Sequence, residues 1–253
     1  MKTCLIFDFK RAFFSKKTLI AMLMVLAFLI IPYFNESKFP YPGADGVNFF
    51  IRIGLFSYLP FLAPLIASIP FSNSYILDKE EGRLNRLFTI VEPKKYFISR
   101  LIVNALVSGL VFLIVETILL VFLISAYGIN NIPIEVVGAF SAIYYSSKMA
   151  YIIILLCISF LSAASFSTFI LGISTLTKSK FLILLVPLSY VVVTGVIFPN
   201  IGVSTGLNVM AIFQMDINIT FTGLNVILYD LILFLIGSFL FYCFGYKRMK
   251  RNI

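Results

Sequence analysis

The sequence predicts an all-α polytopic membrane protein with six transmembrane helices, and three observations predict it. Of 253 residues, 60% are hydrophobic and only 12% are charged, a balance outside that of soluble domains. The apolar residues fall into runs of the length that crosses a hydrocarbon core, about 17 to 25 residues. The basic residues sit on alternate polar segments: five before residue 18, six between 78 and 100, two between 177 and 180, and four after 246, together 17 of the 20. Only Lys38, Arg52 and Lys148 remain for the other side, so the positive-inside rule places both termini in the cytoplasm. The charge of +9 is thus spread over loops rather than gathered into a nucleic-acid patch, and no nucleic-acid partner is expected. The chain reads as one transmembrane domain over residues 1–253.

Residues 1–17 place Leu5, Ile6, Phe9 and Phe13 at helical spacing opposite Asp8, Lys10, Arg11 and Lys17. This is a basic amphipathic helix lying on the inner leaflet. A signal peptide is the competing reading, but no small-residue cleavage site follows Phe34. The first span covers about 18–34. Pro40, Pro42, Gly43 and Gly46 then make a tight external loop.

The second span, about 52–77, contains Pro60, Pro64 and Pro70, each lacking a backbone donor, so it should be kinked or broken. The bend is either a packing requirement or a hinge. After it comes the one long charged interruption, 78–100. It carries Asp78, Glu80, Glu81 and Glu92 with Lys79, Arg83, Arg86, Lys94, Lys95 and Arg100, and is expected to lie in water. Within it Leu84, Leu87, Phe88 and Val91 recur at i, i+3, i+4 and i+7 opposite Glu81, Arg83, Asn85 and Arg86. The pattern predicts a short amphipathic helix at the membrane surface, for docking or for lying on lipid.

The third span, about 101–127, carries Glu116. An external loop follows, and Tyr144, Tyr145 and Tyr151 are expected in the outer aromatic belt. The fourth span, about 150–176, presents Ser159, Ser162, Ala163, Ser167 and Thr168, small residues that let helices approach closely. A very short turn leads to the fifth span, about 181–198. Residues 200–223 are too polar to span and too apolar for a free loop, which fits an outer re-entrant or interfacial hairpin. The sixth span, about 224–246, carries Asp230 and ends on Lys247, Arg248, Lys250 and Arg251.

Several chemistries are excluded. There is no histidine, so His-based zinc sites, acid–base catalysis and proton relays are absent. Cys4, Cys157 and Cys243 have no metal or redox spacing, and two of them fall in apolar runs where a cysteine behaves as a small hydrophobe. Phosphate-loop, nucleophile-elbow and zinc-protease motifs are missing, so no catalytic residue, metal site or bound cofactor is expected. Glu116 and Asp230 are the acids well inside spans. Measured from Arg100 and Lys247 at about 1.5 Å per residue, both lie roughly 24 to 26 Å above the inner boundary, in the outer third of the core. They are either a polar patch on a translocation path, or carboxylates that reach outer headgroup water or pair with Arg52 or Lys148.

Transport architecture without an energy-converting motif requires a gradient or a borrowed motor. The basic N-terminal helix, six spans with both ends inside, and the element Glu80-Glu81-Gly82-Arg83-Leu84-Asn85-Arg86-Leu87-Phe88 followed by Glu92-Pro93 resemble the permease subunits of ABC-2-type ATP-binding-cassette transporters. Arg83 stands where that family most often has Thr. The resemblance implies that residues Glu80, Glu81, Gly82, Arg83, Leu84, Arg86, Leu87 and Phe88 form the coupling helix for a separate cytoplasmic ATPase dimer, which would bind ATP and Mg. It implies a second permease, identical or a sister, meeting this chain through spans one and five. The import-type permease signature is absent, so the expected activity is export of an amphiphilic substrate: an antimicrobial or toxic peptide, a drug or a lipid-like molecule. Polysaccharide export is the alternative within the family, and a gradient-driven secondary transporter the alternative outside it. A membrane enzyme is disfavoured by the lack of His and of a carboxylate pair close in sequence. The Trp-free composition, rich in Ile, Phe, Lys and Asn, points to an AT-rich genome and to a bacterial plasma membrane.

Overall fold

The computed structural model describes residues 2–38, 45–130, 132–136, 140–177, 179–202, 208–213 and 222–247. The expected turn at Pro40, Pro42 and Gly43, most of the expected hairpin at 200–223, and Arg248, Lys250 and Arg251 lie outside these residues. Every regular element among the described residues is helical. Five helices are long and apolar enough to cross a membrane: α2 (Lys16–Glu36), α7 (Pro93–Tyr127), α9 (Lys148–Ile173), α10 (Lys180–Asn200) and α12 (Gly223–Lys247). Shorter helices complete the chain: α1 (Lys2–Phe13), α3 (Gly46–Phe56), α4 (Leu59–Ser68), α5 (Ser74–Glu80), α6 (Arg83–Ile90), α8 (Ser141–Ser146) and α11 (Met210–Phe213).

The run expected to be a second span at 52–77 is not one helix. It breaks at Ser57, and α3 and α4 meet at 83°. Pro60 sits in the first turn of α4, where a missing N–H costs nothing, while Pro70 lies in the turn between α4 and α5. Ser57 makes the break tolerable in an apolar setting. Its Oγ donates to Phe28 O at 2.9 Å and accepts from Leu59 N at 2.9 Å, so part of the released backbone is satisfied. Of the kink or break expected from the prolines, the structure has the break.

Helix α9 is the centre of the bundle, with α7 on one side and α12 on the other. Ser162, Ala163, Ser167 and Thr168 are fully buried, and Ser159 is nearly so. Small side chains there let the neighbours close in. Ser72 Oγ donates to Asn104 Oδ1 (3.2 Å) and Asn104 Nδ2 to Ser167 Oγ (3.2 Å), a polar tie across three elements. The apolar core surrounding α9 divides between Val111, Phe112 and Leu123 against α2–α4, and Phe166, Ile170 and Leu233 against α10 and α12.

The bundle has two chemically different ends. At one end, α5, α6, the first turns of α7 and the last turns of α9 and α12 share a cluster built on Tyr75, Leu84, Tyr96, Phe97, Leu171 and Phe241, and α1 packs beside it, with Ala12 against Phe71, Val103 and Val107. At about 1.5 Å per residue, the 35 residues of α7 run to roughly 52 Å, well beyond a hydrocarbon core of about 30 Å, so the helix is longer than a crossing needs. At the other end, Gly46 N donates to Gly128 O at 2.8 Å, and Lys148 Nζ donates to Asp45 Oδ2 at 2.8 Å and to Ile132 O at 2.8 Å. Of the three tyrosines expected in the outer aromatic belt, Tyr144 and Tyr151 are buried at this end and Tyr145 is exposed. The Tyr144 hydroxyl explains the burial: it donates to Asn48 Oδ1 at 2.6 Å and accepts from Ile134 N at 3.0 Å, so the ring anchors the loop over 132–136.

Candidate functional site

Two sites emerge, one at the basic end and one inside the bundle. At the basic end, α6 forms over Arg83–Ile90 after a left-handed turn at Gly82, φ 65°. Its apolar side faces the protein: Leu84 is buried, and Leu87 and Phe88 are partly buried in the Tyr96–Phe97 cluster. Phe88 meets the Tyr96 ring edge-on at 5.5 Å. Arg83 and Arg86 stay exposed. Of the acids in the motif, Glu81 pairs with Arg83 at 2.6 Å, and Glu80 reaches across to Lys180 at 2.5 Å, at the start of α10. Because Leu84, Leu87 and Phe88 turn toward the protein, α6 presents its basic side outward.

Beneath α6 lies a buried ionic cluster that sequence reasoning missed. Asp78 and Arg100, the ends of the stretch expected in water, are fully buried and paired with one another. Asp78 also accepts from Arg11 Nη2 at 2.9 Å and from the Tyr96 hydroxyl at 2.9 Å. Asp8, expected on the solvated face of α1, is buried too, accepting from Ser99 Oγ at 2.7 Å and lying 3.6 Å from Arg100 Nη2. The Arg100 guanidinium is sandwiched by Phe71 (4.8 Å) and Tyr96 (4.9 Å). Two acids and two arginines cancel, which is what allows them below the surface. The only sequence hint was a lone acid in a basic helix. The cluster fixes α1 and α5 to the first turns of α7.

Between α1, α6 and α7 runs a cavity of about 510 Å³, lined by Phe7, Asp8, Arg11, Leu87, Val91 and Tyr96 among others. It adjoins the exposed arginines of α6: Arg83 and Arg86 line a smaller recess with Phe7, Arg11 and Leu87.

Inside the bundle, the two carboxylates that sequence reasoning singled out converge on α9. Glu116 of α7 accepts from Ser159 Oγ at 2.7 Å, and Asp230 of α12 accepts from Ser162 Oγ at 2.8 Å. The two serines are one helical turn apart, so the acids occupy neighbouring levels without touching. Both are buried, Glu116 at 8% and Asp230 at 5% exposed. Nor do they pair with the cations proposed for them, because Arg52 binds Glu36 at 2.7 Å and Lys148 binds Asp45 at 2.8 Å. Helix α11 bridges the pair of sites. Ile212 O accepts from Ser162 Oγ at 3.2 Å, and Phe213 borders the Glu116 cavity.

That cavity, of about 70 Å³, opens between Glu116 and the α3–α4 break, where Gly54, Ser57, Leu59 and Pro60 line it. Among the described residues, no group of His, Cys, Asp and Glu is arranged to hold a metal ion. Comparison of the chain with protein-family models, with curated proteins and with solved structures found no match.

Proposed function

We propose that this chain is the transmembrane subunit of an ABC-2-type exporter, moving an amphiphilic substrate out of a bacterial cell with energy from a separate cytoplasmic ATPase. The observation that carries the reading is α6: a helix outside the five long spans, seated by Leu84, Leu87 and Phe88 so that Arg83 and Arg86 face outward beside the open groove of α1. A surface of this kind receives a partner and transmits its motion. Transmission has a physical route, because the Phe88–Tyr96 ring contact joins α6, and the Asp78 contacts with Arg11, Arg100 and Tyr96 join α5 and α1, to α7, the helix that bears Glu116.

On this reading the basic end is cytoplasmic, as the positive-inside rule requires. The broken α3–α4 pair completes a sixth crossing, and α11 is a short re-entrant helix of the outer half. Glu116 and Asp230 line the path, ATP and Mg belong to the partner, and a second permease completes the transporter across the faces of α2 and α10. Polysaccharide export remains the alternative cargo within this reading. A gradient-driven carrier is a second reading, favoured by a specific observation: a span broken beside a carboxylate is the way such carriers build sites at depth.

Gentle solubilisation of the native membrane, capture of this chain and mass identification of its stoichiometric companions tests the choice. A cytoplasmic protein with a Walker phosphate loop is the expected companion. An isolated chain that transports without one, driven by a proton or sodium gradient, overturns the exporter reading in favour of the carrier.

A further inference from the structure

The helix break and Glu116 face the same cavity, and its chemistry is that of a cation site. Glu116 offers a carboxylate whose single hydrogen-bond partner among the described residues is the Ser159 hydroxyl, and no basic side chain among them pairs with it. Gly54 lies in the last turn of α3 and Ser57 is its C-cap, whose N–H takes the Gly54 carbonyl at 3.3 Å and leaves those of Leu55 and Phe56 at the helix end. The final carbonyls of a helix lack intrahelical partners and form the negative end of its dipole, which favours a positive charge. Helix α4 starts on the far wall, but its opposing field has fewer free donors. Ser57 Oγ takes the Leu59 N–H, and Pro60 has none.

The remaining walls, including Leu155 and Phe213, are apolar. Some 70 Å³ of room compares with about 30 Å³ for a water molecule in the liquid. A group the size of an ammonium fits, together with a water. A primary ammonium has three N–H donors, and the oxygens of Glu116, Ser159 and Ser57 are the acceptors around it. A quaternary head has no donor to give them, and a neutral or anionic head leaves the carboxylate unpaired.

We propose that this cavity binds the primary ammonium head of an alkylamine-type amphiphile, with the hydrocarbon tail against the apolar walls and lipid. The proposal rests on reading Glu116 as part of a substrate path, and it names the substrate class as primary-amine amphiphiles. The α3–α4 break is then part of the binding site and not only a packing bend.

The test uses the full chain in nanodiscs of zwitterionic phosphatidylcholine and a dodecylamine carrying a dansyl group at its far end. Saturable fluorescence binding is expected, displaced by dodecylamine but not by equal concentrations of dodecyltrimethylammonium, dodecanol or sodium chloride. Glu116→Gln should weaken binding at least tenfold and Ser159→Ala severalfold. If Glu116→Gln fails to fold, Ser159→Ala and the competition series still decide. Equal displacement by dodecyltrimethylammonium or dodecanol, displacement by sodium, or wild-type affinity in both variants overturns the assignment. Binding in nanodiscs needs no ATPase. A co-purifying ATPase with no amine binding therefore removes only the amine site, and amine binding with no ATPase removes only the exporter reading.

Discussion

Gly172 of α9 and Gly237 of α12 cross in backbone contact. A Cβ placed on Gly172 would lie 2.4 Å from the Gly237 carbonyl oxygen, and one on Gly237 would lie 2.5 Å from both Thr168 O and the Cα of Phe169. The obstructing atoms are main chain and cannot swing aside. Where lipid supplies no hydrophobic drive between helices, such close approach is a main source of their association. Gly172→Ala and Gly237→Ala are each expected to cost roughly 1 to 3 kcal/mol by forcing α9 and α12 apart. Thermal unfolding of the purified protein in detergent should show a lowered midpoint for both. An unchanged midpoint would mean that the crossing is looser than the structure has it.

The Asp78–Arg100 pair makes a second prediction, because breaking a buried pair is worse than removing it. Asp78→Asn leaves the Arg100 guanidinium, already with Nε and Nη1 unpartnered, facing only Asp8, and should cost about 3 to 5 kcal/mol. Arg100→Met in the same background should recover part of that loss. A double-mutant cycle on denaturation midpoints measures the coupling. Additive losses would show that the two residues act independently.

The periodic and extreme features of the sequence were legible. Apolar runs announced a helical membrane protein, the spacing of Leu84, Leu87 and Phe88 announced α6 and the side it buries, and the small residues of 159–168 announced the crowded face of α9. Glu116 and Asp230 were found because an acid in an apolar run is conspicuous. Their partners were not, since Ser159 and Ser162 read equally well as spacers. The Asp8–Arg11–Asp78–Arg100 cluster was invisible for a different reason. A charge pattern reports net polarity, and polarity suggests water; only tertiary pairing, across 22 residues for Asp78–Arg100 and 67 for Arg11–Asp78, reveals that the charges neutralise one another below the surface. The α3–α4 break was half legible: prolines gave its existence, but its angle and its place at Ser57 depend on the Phe28 carbonyl of another helix.

At the opposite end, Lys148 is the hub of a clamp. Its ammonium reaches Asp45 Oδ2, Ile132 O and, at 3.0 Å, Asn130 O, while Asp45 also caps α3 by accepting from Asn48 N at 2.7 Å. Lys148→Met keeps the stem and removes all three donors, leaving a buried carboxylate without its cation. The expected result is faster amide hydrogen exchange at Asn130 and in the first turn of α3, with α9 itself unchanged. Exchange that stays at the wild-type rate would assign the loop's order to the Tyr144 hydroxyl instead.

The exposed and buried sides of α6 should separate when they are mutated. Leu84 is 5% exposed, so Leu84→Ala should destabilise by about 2 to 4 kcal/mol. Arg83 and Arg86 face outward, and their reversal to Glu should leave the unfolding free energy within about 0.5 kcal/mol of wild type. If α6 is the surface that a basic-end partner grips, the Arg83→Glu, Arg86→Glu chain should nevertheless lose its companion on capture from native membranes. Gly82→Ala probes the same helix by a third route. No atom obstructs a Cβ there, but the left-handed φ of 65° costs an alanine roughly 1 kcal/mol or more, so α6 should be re-aimed rather than unpacked. Companion retention should fall for the double reversal and for Gly82→Ala while both chains still fold. Full retention in the double reversal would place the partner's grip elsewhere and leave α6 as a helix that only closes the basic end.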